Sequence, residues 1–521
     1  MNRIDPGKKT SQRTSCTFCS YSCDLEITSG DLGIIGVDYP SDGLYNQGRL
    51  CPRGSAAAQY LDHPLRLTSP RGDDSPRSWN DVQALLKKAV KRPERTAITF
   101  DRNLTLEEYE MLAAAAAGLG ITNFASSYLE PEAVLHPFYN PEQPFNFAEL
   151  DSTQAVLIVG DLFNQFPMTS RPLIEWRYRD RKNRLIVIDS VGTYTGKFAT
   201  DWIRTPVGYE PLMLLALAGR SDPADDLGAP VTKVRELAAM LASSKGGMGF
   251  ACLPFGRTRD PLLFGAALSC LREAVGIRVV PFAEYAGPQG RVRFGDILAG
   301  VKNRSIKHVI NFGEIFPAAY PTLRKPLGNV EIISCVPWLG DGFLAIPTAA
   351  QLEKAGTVMT SFGMRHIEPA MAMASGSRTI AEIIALLKAP AAANPGSVSV
   401  PSIDIGSRVA RLREPVRSRR KMTFTLIGEK AAFDFMALWR EERLRINPVD
   451  ARKLSILPDD RLTVTSAAGE AEFPVELSPQ MPIGVVSLPV ETPRTRGLFE
   501  HEIDEGFVHF IPTGVALCRK E

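Results

Sequence analysis

No stretch of this 521-residue chain approaches 18 consecutive apolar residues, so no membrane-crossing helix is expected. The start, Met1-Asn2-Arg3-Ile4-Asp5-Pro6, has neither the apolar core of a secretory leader nor a twin arginine. Charge of one sign is also missing. The 60 Lys and Arg nearly balance the 58 Asp and Glu, a net charge of +2, so nothing marks a nucleic-acid binder. A flavin or nicotinamide fingerprint is absent. What remains is an ordinary globular composition, 44% apolar and 23% charged. The length exceeds what one hydrophobic core organises and points to about three or four domains.

Against this plain background the cysteines are unevenly placed. Cys16, Cys19 and Cys23 read C-x2-C-x3-C, and a 27-residue gap leads to Cys51 inside Gly48-Arg49-Leu50-Cys51-Pro52-Arg53-Gly54. A tight triplet plus one distant thiol suits a [4Fe–4S] cluster, whose corners take four thiolates. A zinc ion also takes four cysteines, but usually from two separated C-x2-C pairs, so zinc is the rival reading. The other four, Cys252, Cys270, Cys335 and Cys518, lie in apolar or strand-like contexts and read as buried free thiols. A reduced, cytoplasmic location is expected, because disulfides do not persist there.

The chain divides into five stretches. Residues 1–15 are polar and are expected to be disordered. Residues 16–70 read as a β-rich cluster unit, with a hairpin from Asp24-Leu25-Glu26-Ile27-Thr28 through Ser29-Gly30-Asp31 to Gly33-Ile34-Ile35-Gly36-Val37. Residues 71–388 alternate strands and helices. The first helix is expected near Asn80-Asp81 with Asn80 as N-cap, and a second from Thr105 to Gly118 behind Thr105-Leu106-Glu107-Glu108. Apolar strands at Thr96–Phe100, Ala155–Gly160, Arg184–Asp189, Val309–Gly313 and Glu331–Cys335 predict parallel sheets covered on both faces. Ligands in such folds bind beyond the carboxyl ends of strands, which makes Gly160, Asp189 and Gly313 candidate cleft walls. Residues 389–421 read as a linker ending in the basic run Arg417, Arg419, Arg420, Lys421. Residues 422–521 hold short strands and turns that predict a small β-barrel.

Taken in this order, the motifs resemble the molybdopterin oxidoreductase superfamily over nearly the whole length. That superfamily includes formate dehydrogenases and the large iron–sulfur subunit of NADH:quinone oxidoreductase. The segment from Gly48 to Gly54 is the most specific part. Val187-Ile188-Asp189-Ser190-Val191-Gly192-Thr193-Tyr194-Thr195-Gly196 resembles a strand-end loop that holds a guanine nucleotide, and Thr205 to Glu210 resembles the Gly-x-acid turn after it. The segment Leu352 to Thr360, with Gly356 and Thr357, resembles the Glu-Gly-Thr loop. Asn447 and Asp450, with Gly484-Val485-Val486, resemble the C-terminal dinucleotide-binding barrel.

The resemblance implies an α/β fold with an N-terminal [4Fe–4S] platform, Rossmann-like parallel domains and a C-terminal β-barrel. It also implies an oxidoreductase subunit with a molybdopterin guanine dinucleotide carrying Mo or W as a candidate cofactor. Candidate contacts to that cofactor are Gly160, Asp189, Thr193, Glu210, Gly356, Thr357, Asn447 and Asp450. Arg53 resembles the basic residue between cluster and pterin, where it would favour the added electron; pairing with a surface acid is the alternative. Asp189 and Glu210 would accept hydrogen bonds from guanine and ribose, or else cap helices.

The departures bear on chemistry. The stretch Asn123 to Glu132 corresponds to the family's metal-ligand loop but holds no cysteine; Tyr128 falls near the ligand position, with Ser126 and Ser127 as substitutes. His136 reads as a packing histidine. Three functions follow as expectations: an electron-relay subunit working with flavin or iron–sulfur partner subunits, a formate dehydrogenase catalytic subunit with an unusual metal ligand, or a structural subunit of a formylmethanofuran-dehydrogenase-like formyl hydrolase complex. The intact four cysteines favour the redox readings.

Overall fold

A computed structural model describes residues 9–519 apart from 31–32, 73–74, 128–129, 222–226, 245, 254–255, 314–326, 329, 339–343, 395, 415–422 and 438–440. Strands β1 (Thr10–Ser15), β2 (Asp24–Gly30) and β3 (Gly33–Asp38) form an antiparallel sheet in chain order. Period-two alternation sends Leu25 and Ile27 of β2 into the core, both fully buried. Residues 10–15, expected to be disordered, are instead the strand β1, paired with β2 at every position. The reason is a polar edge: Thr10 pairs its hydroxyl with Ser29 at 3.0 Å, and Ser11 donates to Glu26 at 2.6 Å. Such cross-strand pairs hold a strand that carries no apolar signal.

Two further sheets follow, one wholly parallel and one parallel except for an antiparallel edge at Arg71–Gly72 and Ser75–Pro76. In one, the order is Asp201–Arg204, Arg184–Asp189, Ala155–Val159, Met248–Ala251, Arg278–Pro281. All four pairings are parallel. Ala155–Val159 comes first in sequence but lies in the middle, so the topology reverses between it and Met248–Ala251. In the seven-stranded sheet the reversal falls between Thr96–Phe100 and His308–Phe312. The glycines flagged at strand ends sit at these two reversals. A Cβ on Gly160 would meet the Cys252 carbonyl oxygen at 2.7 Å, and one on Gly313 would meet Asp101 at 2.3 Å.

The helices between these strands begin where capping chemistry dictates. Helix Leu106–Gly118 starts at Thr105 with Glu108 completing a capping box. Helix Trp79–Val90 starts two residues earlier than expected, because Ser78 rather than Asn80 is the cap and Asp81 closes the box. The stretch after residue 388 is a structured strap. Val398 N donates to Gly290 O at 2.6 Å, and helix Ile405–Arg413 sends Arg408 to Asp260 at 2.9 Å and to Asp504 at 2.6 Å. The basic run from Arg417 to Lys421 lies outside the described residues.

Six strands close the C-terminal barrel in the order Phe424–Glu429, Val485–Pro489, Leu444–Ile446, Glu470–Leu477, Arg461–Thr465, Thr513–Arg519. Among the second set of cysteines, Cys252 and Cys335 are buried, Cys270 is half-buried and Cys518 is exposed. Cys518 lies near the free end of the last barrel strand, where burial fades toward solvent. No helix among the described residues is long and apolar enough to cross a membrane.

Gly160 has φ of +89°, a left-handed value that only glycine adopts without strain. Gly160→Ala is expected to cost about 1–3 kcal/mol, through strain and the clash with Cys252, and denaturant unfolding checks it.

Candidate functional site

The four N-terminal cysteines converge from two turns. Cys16 follows β1, and its backbone N–H donates to Cys23 O at 2.7 Å, which pinches the intervening loop. Ser22 takes a left-handed φ of +54° and donates to Cys19 O at 3.2 Å, which tightens that loop. Cys51 caps the one-turn helix Pro52–Ser55, where Ser55 N donates back to Cys51 O at 3.0 Å. Asn46 ties the two turns together, donating to Asp24 O at 3.0 Å and Arg49 O at 2.7 Å.

Cys16, Cys23 and Cys51 are buried and Cys19 is half-buried. Burial and the neighbouring thiols push Cys16 and Cys23 upward, and burial pushes Cys19 up to about 11. Four mutually repelling thiolates in one apolar pocket are unfavourable unless a cationic group joins them. Among the described residues no three His, Cys, Asp or Glu side chains close on a single point. A cubane takes one thiolate at each of its four iron corners, and Cys16, Cys19, Cys23 and Cys51 supply four free thiols. The donor set fits a cubane.

Arg53 is almost wholly inaccessible, at 1% exposure. Its partner is not a surface acid but the buried Glu284, at 2.9 Å, and it also donates to Gln165 O at 2.9 Å. Glu284 receives Lys430 at 2.8 Å and Arg102 at 3.4 Å as well. Burial pulls the other way, yet Lys430, Arg53 and Arg102 hold the Glu284 carboxyl well below the usual carboxylate range. Glu132 accepts from the backbone N–H of Glu284 at 3.0 Å and lies beside the same knot, and burial pushes it up to about 7. These groups were not found by sequence reasoning. Glu284 does carry the signal that marked Asp189, a carboxylate just past a strand, but strand Arg278–Pro281 has only four residues.

A second polar cradle surrounds the end of strand Arg184–Asp189. Asp189 Oδ1 accepts from Arg257 at 2.9 Å and from Ser190 N at 2.7 Å. Asp189 Oδ2, Ser190 Oγ, Thr205 Oγ1, Thr258 Oγ1 and both Glu210 carboxylate oxygens are buried without a hydrogen-bond partner among the described residues. A cavity of about 510 Å³ opens beside them, lined by Ser190, Arg204, Thr205, Val207 and Arg259. Burial and the Asp189 charge push Glu210 up to about 8, and the same two causes push Asp161 up to about 6. Buried acceptors without donors are rare in folded proteins. This cradle therefore fits a ligand rich in N–H and O–H donors, such as guanine with its ribose. Arg257, Asp161 and Thr195 were missed; Thr195 donates to Asp161 at 2.9 Å and accepts from Phe163 N at 2.9 Å, which locks the loops at Gly160 and Asp189 together.

The remaining candidates are otherwise engaged. Thr193 accepts from Gly196 N at 3.3 Å within its own turn. Thr357 gives its backbone N–H and hydroxyl to Glu107 at 2.8 and 2.7 Å. Partial burial opposes it, but the Thr357 hydrogen bonds hold Glu107 down at about 2. Gly356, with φ of +146°, packs against Thr105 and Glu107. Asn447 caps helix Pro448–Lys453 and donates to Met481 O at 2.7 Å, and Asp450 accepts from Gly484 N at 2.7 Å. Of the ligand-loop residues, Tyr128 lies outside the described residues, Ser127 donates to Phe100 O at 3.3 Å, and Ser126 Oγ is buried without a partner among the described residues. His136 is a packing residue beside Gln289, lowered to about 4 by burial.

Fold and site together define a class: an α/β protein with an N-terminal thiol cage for an iron–sulfur cluster and a C-terminal barrel beside a nucleotide-type cradle. Residues 10–63 match the family model of the molybdopterin oxidoreductase Fe4S4 domain, and residues 428–506 match that of the molydopterin dinucleotide binding domain. In these two segments the chain is similar to the molybdopterin oxidoreductase superfamily.

Two curated relatives match 39% of the chain at 20% identity. They are the F420-dependent formate dehydrogenase subunit alpha of Methanocaldococcus jannaschii and the F420-dependent formate dehydrogenase 1 subunit alpha of Methanococcus maripaludis. The match spans only 32% of their length. Acetylene hydratase from Pelobacter acetylenicus superposes with a TM-score of 0.74 at 11% identity, over 98% of this chain and 100% of that one, a likeness of fold.

Glu210 binds its proton more tightly folded, at about 8, than unfolded, at about 4.3. Its contribution to stability is therefore complete below about pH 4 and is lost as pH rises through 8. Glu210→Gln keeps the neutral form, so the nucleotide-free variant is expected to lose less stability than the parent between about pH 5 and 9. Thermal unfolding across that range measures the difference.

Proposed function

We propose that this chain is an electron-relaying oxidoreductase subunit. Cys16, Cys19, Cys23 and Cys51 hold one [4Fe–4S] cluster, and Arg53 stands beside it as a fixed positive charge. The cluster supplies one-electron redox chemistry when bound. Arg53 stabilises the added negative charge, and Glu284 fixes Arg53 in place. The single observation that carries this reading is a set of four free thiols, three buried and one half-buried, with a buried guanidinium two residues after the fourth, inside the segment matched by the iron–sulfur family model.

In the same reading, the cradle at Asp189, Ser190, Thr205 and Glu210 takes one guanine nucleotide of a molybdopterin guanine dinucleotide. Its buried acceptors support this. Thr357, Asn447 and Asp450 serve the fold, since the protein already occupies their polar atoms. Formate oxidation by this chain alone is not the favoured reading. The expected ligand loop contains serines and no thiol, and Ser127 already donates to the backbone. A relay needs a donor and an acceptor, so partner redox subunits complete the path, in keeping with relatives named as alpha subunits. The working division is a cluster unit at 16–70, α/β domains at 71–388, a strap at 389–421 and a barrel at 422–521.

Cys19→Ala is expected to abolish the brown absorbance and the low-temperature electron spin resonance signal of anaerobically prepared protein. Retention of both, or a colourless parent protein loaded with zinc, overturns the assignment.

A further inference from the structure

The buried knot around Glu284 joins more than a guanidinium to its carboxylate. Lys430 and Arg102 bind the second Glu284 oxygen, and Glu132 reaches over the same residue to accept its backbone N–H. Glu132 is thus one residue's width from the group that fixes Arg53. Its own surroundings are mixed. Lys430 favours its charged form, Glu284 opposes it, and Tyr139 and Cys252 lie within electrostatic reach on adjoining elements. Glu491, which has a buried oxygen without a partner among the described residues, faces Lys430, Arg53, Glu284 and Arg496 from the barrel side.

A carboxyl in such a place is sensitive to one added charge. The backbone N–H groups of Glu284 and Tyr285, at 3.0 and 3.4 Å, stabilise its anion. Burial and the fixed Glu284 carboxylate disfavour it. The balance is close, and an electron arriving on the thiolate side of Arg53 adds negative potential to the whole knot. In a poorly screened interior that potential reaches Glu132 through the Arg53–Glu284 pair.

We propose that Glu132 is a proton-accepting site coupled to the cluster: it takes up one proton when the cysteine-bound cluster takes up one electron, and releases it when the electron leaves. This rests on the cluster reading given under Proposed function. The balance is one electron from a one-electron reductant to the cluster and one proton from solvent to a Glu132 carboxylate oxygen, and no bond between heavy atoms changes. The consequence is that a relay buried among charges passes electrons without accumulating net charge in its core.

The test is a redox titration of the whole purified chain, followed by the low-temperature electron spin resonance signal, at a series of pH values. Burial pushes Glu132 up to about 7, so below that pH it is expected to hold its proton in both cluster states and the midpoint to stay level. Above that, the reduction equilibrium is expected to fall about tenfold per pH unit, which is about 59 mV for a one-electron couple. Glu132→Gln should remove this slope and hold the midpoint at the parent's low-pH value. Should that variant not fold, Lys430→Gln gives a second reading: loss of the cation should move the onset of the slope to higher pH. A cluster whose midpoint is level across the range in the parent protein overturns the coupling and leaves the relay standing. A slope that persists in Glu132→Gln, or an onset unmoved in Lys430→Gln, also overturns it. A preparation with no iron–sulfur signal overturns the relay itself.

Discussion

One buried carboxylate holds the four parts of this protein in register. Glu284 follows the last strand of the five-stranded sheet. It receives Arg53 from the cluster unit, Arg102 from the end of a strand in the seven-stranded sheet, and Lys430 from the end of the first barrel strand. Buried charges are costly to desolvate, so such a knot is weak as a source of stability but strict about geometry. Removing one partner strands the others and typically costs about 3–5 kcal/mol. The thiol cage therefore cannot shift relative to the sheets without breaking a buried ion pair. The hairpin Gly356–Ile367 adds a second clamp: Ser361 donates its N–H to Ser20 O at 2.8 Å, and Arg365 pairs with Asp24.

The polar interior separates into two kinds of group. At Glu107, Asn447 and Asp450 each polar atom named above meets a donor or acceptor from the protein. At Asp189, Ser190, Thr205, Thr258 and Glu210 buried atoms lack partners, and burial pushes two of the carboxyls upward. Natural interiors rarely leave so many buried polar atoms unmet, and the second kind supports the ligand reading proposed above. The contrast lies in what the folded chain places beside each group. Asp189 shares Arg257 with Glu429, Asp161 and Glu210.

Much of the architecture was legible in local patterns. Runs such as Ala155–Val159 and Arg184–Asp189 are apolar at nearly every position because both faces of a parallel sheet are covered, and that is visible without any tertiary knowledge. Thr105 and Glu108 announced their helix through cap chemistry that acts over three residues. Where signals were polar or competing, local reading slipped. Strand β1 carries no apolar alternation and exists because β2 offers it an edge. Ser78 outcompeted Asn80 because only Ser78 stands three residues before Asp81. The strap helix Ile405–Arg413 is held by Asp260 and Asp504, residues about a hundred or more positions away from its arginines along the chain.

The sequence by itself determined the donor set and the layer types: three thiols close together and one apart, apolar strands alternating with helices, and short alternating strands at the end. These depend on contacts within a few residues, or on chemistry that a side chain carries wherever it is. Only the tertiary structure decided which charges meet. Arg53 could have faced water, Glu284 showed only a carboxylate past a short strand, and Lys430, Glu132 and Arg257 bore no local mark of their role. Their significance comes from burial, which turns an ordinary surface charge into one that must find a counter-charge or give up its ionisation, and burial is a property of the assembled chain.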